Sequence, residues 1–124
     1  SLELEVLPGK YTVSKLAPCS PIPGWVAGDG IVNITYAADE ISVVCLSQRV
    51  PEEIEGSAGW TAIKLATKFD FDEPGVILSV VKPVSESGLG VFVFSTFYRD
   101  YLLVQSVELS KVKKLLLSTG HSFV

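Results

Sequence analysis

The chain has 124 residues, 48% of them hydrophobic, with a formal net charge of -4 and a mean hydropathy of +0.40. That length suits one ordinary domain, or two very small ones sharing a core. The acidic balance argues against a nucleic-acid or anionic-membrane surface, which needs a basic patch, and no apolar run approaches the ~18 residues of a membrane helix.

The apolar excess is therefore assigned to a core plus a buried subunit contact. The opening SLELEVLPGKY lacks the basic segment and apolar run of a signal peptide. Two cysteines, Cys19 in a loop and Cys45 in an apolar run, make no disulfide framework. Reduced thiols in a cytoplasmic protein are the plain expectation.

In chain order, KYTVSKLA alternates and predicts a strand. CSPIPGWVAGDG carries two prolines and three glycines, so it predicts a loop with at most one helical turn. IVNITY and EISVVCL are strands around an Ala-Ala-Asp turn, and GWTAIKLA is another. PGVILSVVKPVSESG predicts a helix opening at Pro74 and closing at Gly88. Val76, Ile77, Val80, Val81 and Val84 fall on one of its faces. Pro83 is a cost inside that helix. VFVFST and YLLV are strands. VELSKVKKLLLSTG predicts a helix with Leu109, Val112 and Leu116 on one face and a Gly120 stop. HSFV is a terminal strand.

Sliding the chain against itself aligns TYAADEISVV, starting at Thr35, with STFYRDYLLV, starting at Ser95, an offset of sixty. Gly28 then meets Gly88, and Gly30 meets Gly90. Each half reads strand, helix, strand, strand, helix, strand, with the first half's helices cut short. The predicted fold is α+β: two ferredoxin-like βαββαβ units packed side by side, antiparallel sheet with helices on one face. The halves divide at 1–66 and 67–124, and the second carries the expected ligand site.

The hairpin tip FSTFYRDYLLV is polar where Asn-Gly or Asp-Gly would be the simpler turn. A free amino acid presents a carboxylate and an ammonium. A glycine-opened helix start at Gly75, Val76 and Ile77 offers backbone N–H groups and a partial positive field to the carboxylate. Asp72, Glu73 and Asp100 supply carboxylates for a cation, and Phe97 a wall. Each has a plainer reading. Asp72 caps the helix, Glu73 answers its dipole, Asp100 is a turn residue, and Ser95 and Thr96 are strand-end hydroxyls. Trp25 and Trp60 read as core or interface aromatics, and His121 as structural.

Catalytic and metal chemistry find no purchase. A Cys19–His121 pair has nothing to place or activate it, and one histidine with two scattered cysteines makes no metal set. GLGVFVF lacks the lysine and the helix of a phosphate loop. No enzyme, cofactor or metal is expected. A pure interaction module stays open beside the sensor reading.

FDEPGVILSVVKPVSESGLGVFVFST resembles the ACT domain, a small ligand-binding regulatory module. With GIVNITYAADEISVVC, GWTAIKL and STFYRDYLLV in order, nearly the whole chain resembles the paired-ACT proteins related to the CASTOR-type arginine sensors. The resemblance implies a ligand held between two ACT units, so a homodimer would form two equivalent sites. Ser79 and Val80 of one chain would meet a ligand held by Glu73, Gly75, Phe97 and Asp100 of the other. Asp72, Val76 and Thr96 complete the set. The implied partner is a free L-amino acid, arginine leading, with any output passing through a protein effector, and no nucleic acid or membrane.

Overall fold

The computed structural model describes residues 2–67 and 74–124. They form strands β1 (Glu3–Val6), β2 (Tyr11–Leu16), β3 (Asn33–Tyr36), β4 (Ile41–Leu46) and β5 (Gly56–Leu65), then helix α1 (Val76–Glu86), β6 (Phe92–Ser95), β7 (Asp100–Gln105), α2 (Leu109–Ser118) and β8 (Ser122–Phe123). Among the described residues no helix is long and apolar enough to cross a membrane. The chain forms two compact units, one of residues 1–7 and 61–124, the other of 8–60. These are not the halves drawn from the repeat. The boundary falls inside β5, between Trp60 and Thr61, and the first seven residues join the C-terminal unit.

That assignment follows from β1, a segment the sequence reading leaves without a strand. Its alternating ELEV turns Leu4 fully inward. β1 runs antiparallel to the second half of β5, Leu4 opposite Leu65, and parallel to β8, Leu4 opposite Phe123. The C-terminal unit is thus β5–α1–β6–β7–α2–β8, a ferredoxin-like run with β1 added between its first and last strands. β7 pairs with β5, and β6 pairs with β7. Phe94 stacks on Tyr101 across that last pair, with ring centroids 5.4 Å apart. Val80 and Val84 of α1 and Val112 and Leu116 of α2 share one core with Leu4, Ile63, Leu65, Leu102 and Val104, so both helices cover the same sheet face.

Pro83 does not break α1. The helix runs through it to Glu86 and closes with Gly88 at φ +86°, where the Gly88 N–H donates to the Ser85 carbonyl (3.0 Å). A proline removes the N–H that would bond the carbonyl four residues back, here that of Ser79. His121 Nε2 lies 3.1 Å from that oxygen, while its Nδ1 lies 3.1 Å from the backbone nitrogen of Leu2. Nδ1 must accept, so Nε2 carries the proton and donates to Ser79. The lone histidine thus has the structural role expected of it.

In the N-terminal unit the first half of β5, then β2, β4 and β3 lie side by side, all antiparallel. No α-helix forms. Residues 17–32 run as turns and lend Val26 to a core with Ile41, Val43 and Cys45, with Ile22, Trp25 and Val32 packed around it. The second helix is reduced to a 3₁₀ turn, Ser47–Arg49.

β3 and β6 occupy the same place in their units, each paired, among the described residues, only with the strand that follows it. The register sets the repeat at fifty-nine rather than sixty. Asn33 stands opposite Val44 as Phe92 stands opposite Leu103. The Ala37 N–H bonds the Glu40 carbonyl (2.9 Å) as Thr96 bonds Arg99 (2.8 Å). A one-residue slip still aligns apolar letters, but it turns every side chain to the other face, and only pairing decides that.

Candidate functional site

Thr61 and Ser106, whose hydroxyls are 2.7 Å apart, bring the start of β5's second half beside the end of β7. The end of β5, where the chain leaves toward α1, therefore lies beside the start of β7 and the hairpin 96–99. The Ala66 N–H donates to the Glu3 carbonyl (2.8 Å), and His121 links Leu2 to Ser79. The beginning of α1 and the tip of the β6–β7 hairpin thus share one end of the C-terminal unit.

Six of the nine sequence-predicted residues gather there. Gly75 holds the N-cap position at φ +77°, exposed, and a Cβ built on it meets nothing within 4 Å. Gly75 has no side chain with which to cap the helix, and among the described residues no side-chain cap bond is made to its first amides. Val76 packs half-buried against the core, and Ser79 is exposed, its Oγ donating to the Val76 carbonyl (2.7 Å). On the hairpin, Thr96 is exposed with its Oγ 3.3 Å from the Arg99 carbonyl. Phe97 is 70% exposed, edge-on to Tyr98 at 4.8 Å. Asp100 is half-buried and accepts a hydrogen bond from Ser95. The hairpin's polar side chains thus bond within the hairpin, Ser95 to the Asp100 carboxylate and Thr96 to the Arg99 backbone carbonyl.

Val80 is different: it is fully buried in the core, so its side chain is a packing element. Asp72 and Glu73 lie outside the described residues.

A pocket of about 150 Å³ opens at the other end of the same unit, between Gly88, Leu89, Gly90, Val104, Gln105 and Glu108. The sequence reading singles out Gly88 and Gly90 for the repeat but assigns nothing to Glu108. Arg49, also passed over, organises the loop of the N-terminal unit. Its Nε donates to the Trp25 carbonyl (3.0 Å), Nη1 to Asp29 (2.9 Å) and Nη2 to Val26 (3.0 Å). Burial pushes the Cys45 thiol up from its ordinary value, opposed by the charge of Arg49 and a hydrogen bond from it.

Two family models match the chain, one described only as an N-terminal domain over residues 9–53, the other as an ACT domain over residues 55–118. No curated protein matches. Among solved structures, protein Atu0741 of Agrobacterium tumefaciens is 43% identical, with a TM-score of 0.94 over 99% of this chain and 92% of its own. A Vibrio cholerae protein of unknown function, described as a possible transport protein, is 16% identical, with a TM-score of 0.78 over 96% and 90%. The regulatory subunit of aspartate kinase from Thermus thermophilus is 9% identical, with a TM-score of 0.64 over 94% and 97%. At such identities the last two share the fold alone. With its βαββαβ unit and a family match over residues 55–118, this chain belongs to the ACT domain family.

Proposed function

We propose that the protein is a regulatory amino-acid sensor, with its ligand site at the α1 and β6–β7 end of the C-terminal unit. The observation that supports this reading is that a glycine-opened helix start and the hairpin that carries Asp100 lie at the same end of the C-terminal unit. The amides suit an α-carboxylate and Asp100 a cationic group. That pairing favours a cationic amino acid such as arginine, in the manner of the CASTOR-type sensors, over a neutral one. The fold shared with an aspartate kinase regulatory subunit agrees with a regulatory role.

The site is completed in this reading by a second copy of the chain. Among the described residues β6 pairs only with β7; it carries Phe92 and Val93, both over 40% exposed, and Leu78 of α1 is 58% exposed. A two-fold dimer would cover such surface and bring Ser79 of one chain to the ligand of the other. Two free thiols suit a cytoplasmic setting, and the regulated activity belongs to a partner protein.

Thermal melts against the common amino acids test the reading. A ligand at one hundred times its Kd adds about 2.7 kcal/mol, and Asp100→Ala should remove that shift while leaving the unliganded melt near wild type. If no amino acid at millimolar concentration raises the Tm, the sensor reading fails and a pure assembly module takes its place. Mixing Ser79→Trp with Asp100→Ala chains should restore one site in two, and no recovery would overturn the shared site.

A further inference from the structure

The repeat at fifty-nine sets Ser47 against Ser106, Leu46 against Gln105, and Arg49 against Glu108. The first pair is confirmed in side-chain detail. The Ser47 hydroxyl lies 2.7 Å from that of Thr12, on the unit's first strand, as Ser106 lies 2.7 Å from Thr61. The third pair inverts a charge.

In the N-terminal unit this place is filled from within. The Arg49 guanidinium lies against Gly28, where a Cβ would come within 2.6 Å of Cζ, and three of its N–H groups are spent on loop carbonyls. The Leu46 side chain closes over Gly30, its Cγ 3.0 Å from where a Cβ would stand. In the C-terminal unit the same place is open. Gly88 and Gly90 precede β6 as Gly28 and Gly30 precede β3, one residue nearer, and a Cβ on either meets nothing within 4 Å. Gln105 and Glu108 replace the two filling side chains, and the pocket of about 150 Å³ remains.

The lining carries one carboxylate to meet a cation, that of Glu108, which also holds the N-cap position of α2 at the positive end of that helix. Glu108 is half-buried and has no ion-pair partner among the described residues. The C-terminal end of α1, with its partial negative charge, closes at Gly88 beside it. Leu89, Val104 and Val112 supply apolar walls for a flat delocalised group, which tolerates such contact better than a hydrated ammonium. A cavity near this volume holds a benzene-sized molecule, and a guanidinium is smaller.

We propose that this pocket binds the guanidinium group of a small molecule, the cation that Arg49 provides from within the chain in the other unit. The site lies at the opposite end of the C-terminal unit from the amino-acid site and needs no carboxylate on its ligand.

N-ethylguanidine, which carries neither carboxylate nor ammonium, is the probe. Titrated into the full chain labelled with ¹⁵N, it should shift the amides of Gly88, Leu89, Gly90 and Gln105, with butylamine at the same concentration shifting them far less. Glu108→Gln should weaken the probe about tenfold, the loss of one charged hydrogen bond. Glu108→Arg, which copies Arg49, should abolish binding. Gln105→Leu, which copies Leu46, gives a second route to a filled pocket should a charge change unfold the chain. Asp100→Ala should leave the shifts intact, separating this site from the amino-acid site. Absent shifts, equal shifts with butylamine, or binding unchanged in both Glu108→Gln and Gln105→Leu would overturn the proposal.

Discussion

His121 donates from Nε2 to the carbonyl oxygen of Ser79, the acceptor that Pro83 leaves without a partner inside α1. The proline is tolerated because a side chain at the far end of the sequence supplies the missing N–H. The same ring accepts the Leu2 N–H at Nδ1 and so ties β1 and β8 to the helix.

Replacing that ring tests the arrangement. His121→Ala strands a carbonyl and an amide in a largely buried place and should destabilise the fold by about 3 kcal/mol in urea. In a Pro83→Ala background the helix regains its own N–H, so the same change should cost about 1 kcal/mol less. Additive losses in the double-mutant cycle would show that His121 does not stand in for the missing bond.

The two hydroxyl pairs should behave alike. Thr12 and Thr61 are each 6% exposed and each bonds one serine. Ser47→Ala and Ser106→Ala should each cost on the order of 1–2 kcal/mol, because each leaves a buried threonine hydroxyl unsatisfied. Chemical denaturation measures both, and a neutral effect in either would contradict the equivalence.

Arg49 should not be replaceable by lysine. A single ammonium cannot reach three carbonyls in the planar fork geometry of Trp25, Val26 and Asp29. Arg49→Lys should cost about 2 kcal/mol and Arg49→Ala more. Hydrogen exchange should localise the loss to the loop, with the amides of Val26 and Ile31 opening first. Those amides bond Pro23 and the Tyr11 hydroxyl.

Cys45 should make stability fall in alkali. Its folded thiol is held above the ordinary value of 9.0 by burial. Between the unfolded and the folded value the native state binds more protons than the unfolded one. The contribution of the neutral thiol is therefore complete below pH 9.0 and declines as pH rises through the folded value. Cys45→Val should flatten that limb of the stability–pH curve. The exposed Cys19 should react with a thiol reagent at neutral pH long before Cys45 does.

Local pattern by itself determined most of the elements. Alternation marks β2, apolar runs mark β4 and the inward half of β5, and the valine stripe marks α1. Gly88 and Gly120 mark the helix stops, and the proline-rich run 17–32 shows that the first helix is lost. Gly75 as an open helix start and Asp100 at a hairpin were legible because their roles are local. What spans the chain was decided by the tertiary structure. β1 is four residues long and becomes a strand through its neighbours β5 and β8. Val80 and Ser79 are adjacent letters, yet packing buries one and leaves the other exposed. Pro83 depends on His121, thirty-eight positions away, and the charge inversion between Arg49 and Glu108 appears only when strand register moves the repeat by one residue. Pairing and burial are properties of distant partners, and a sequence window holds only one side of each contact.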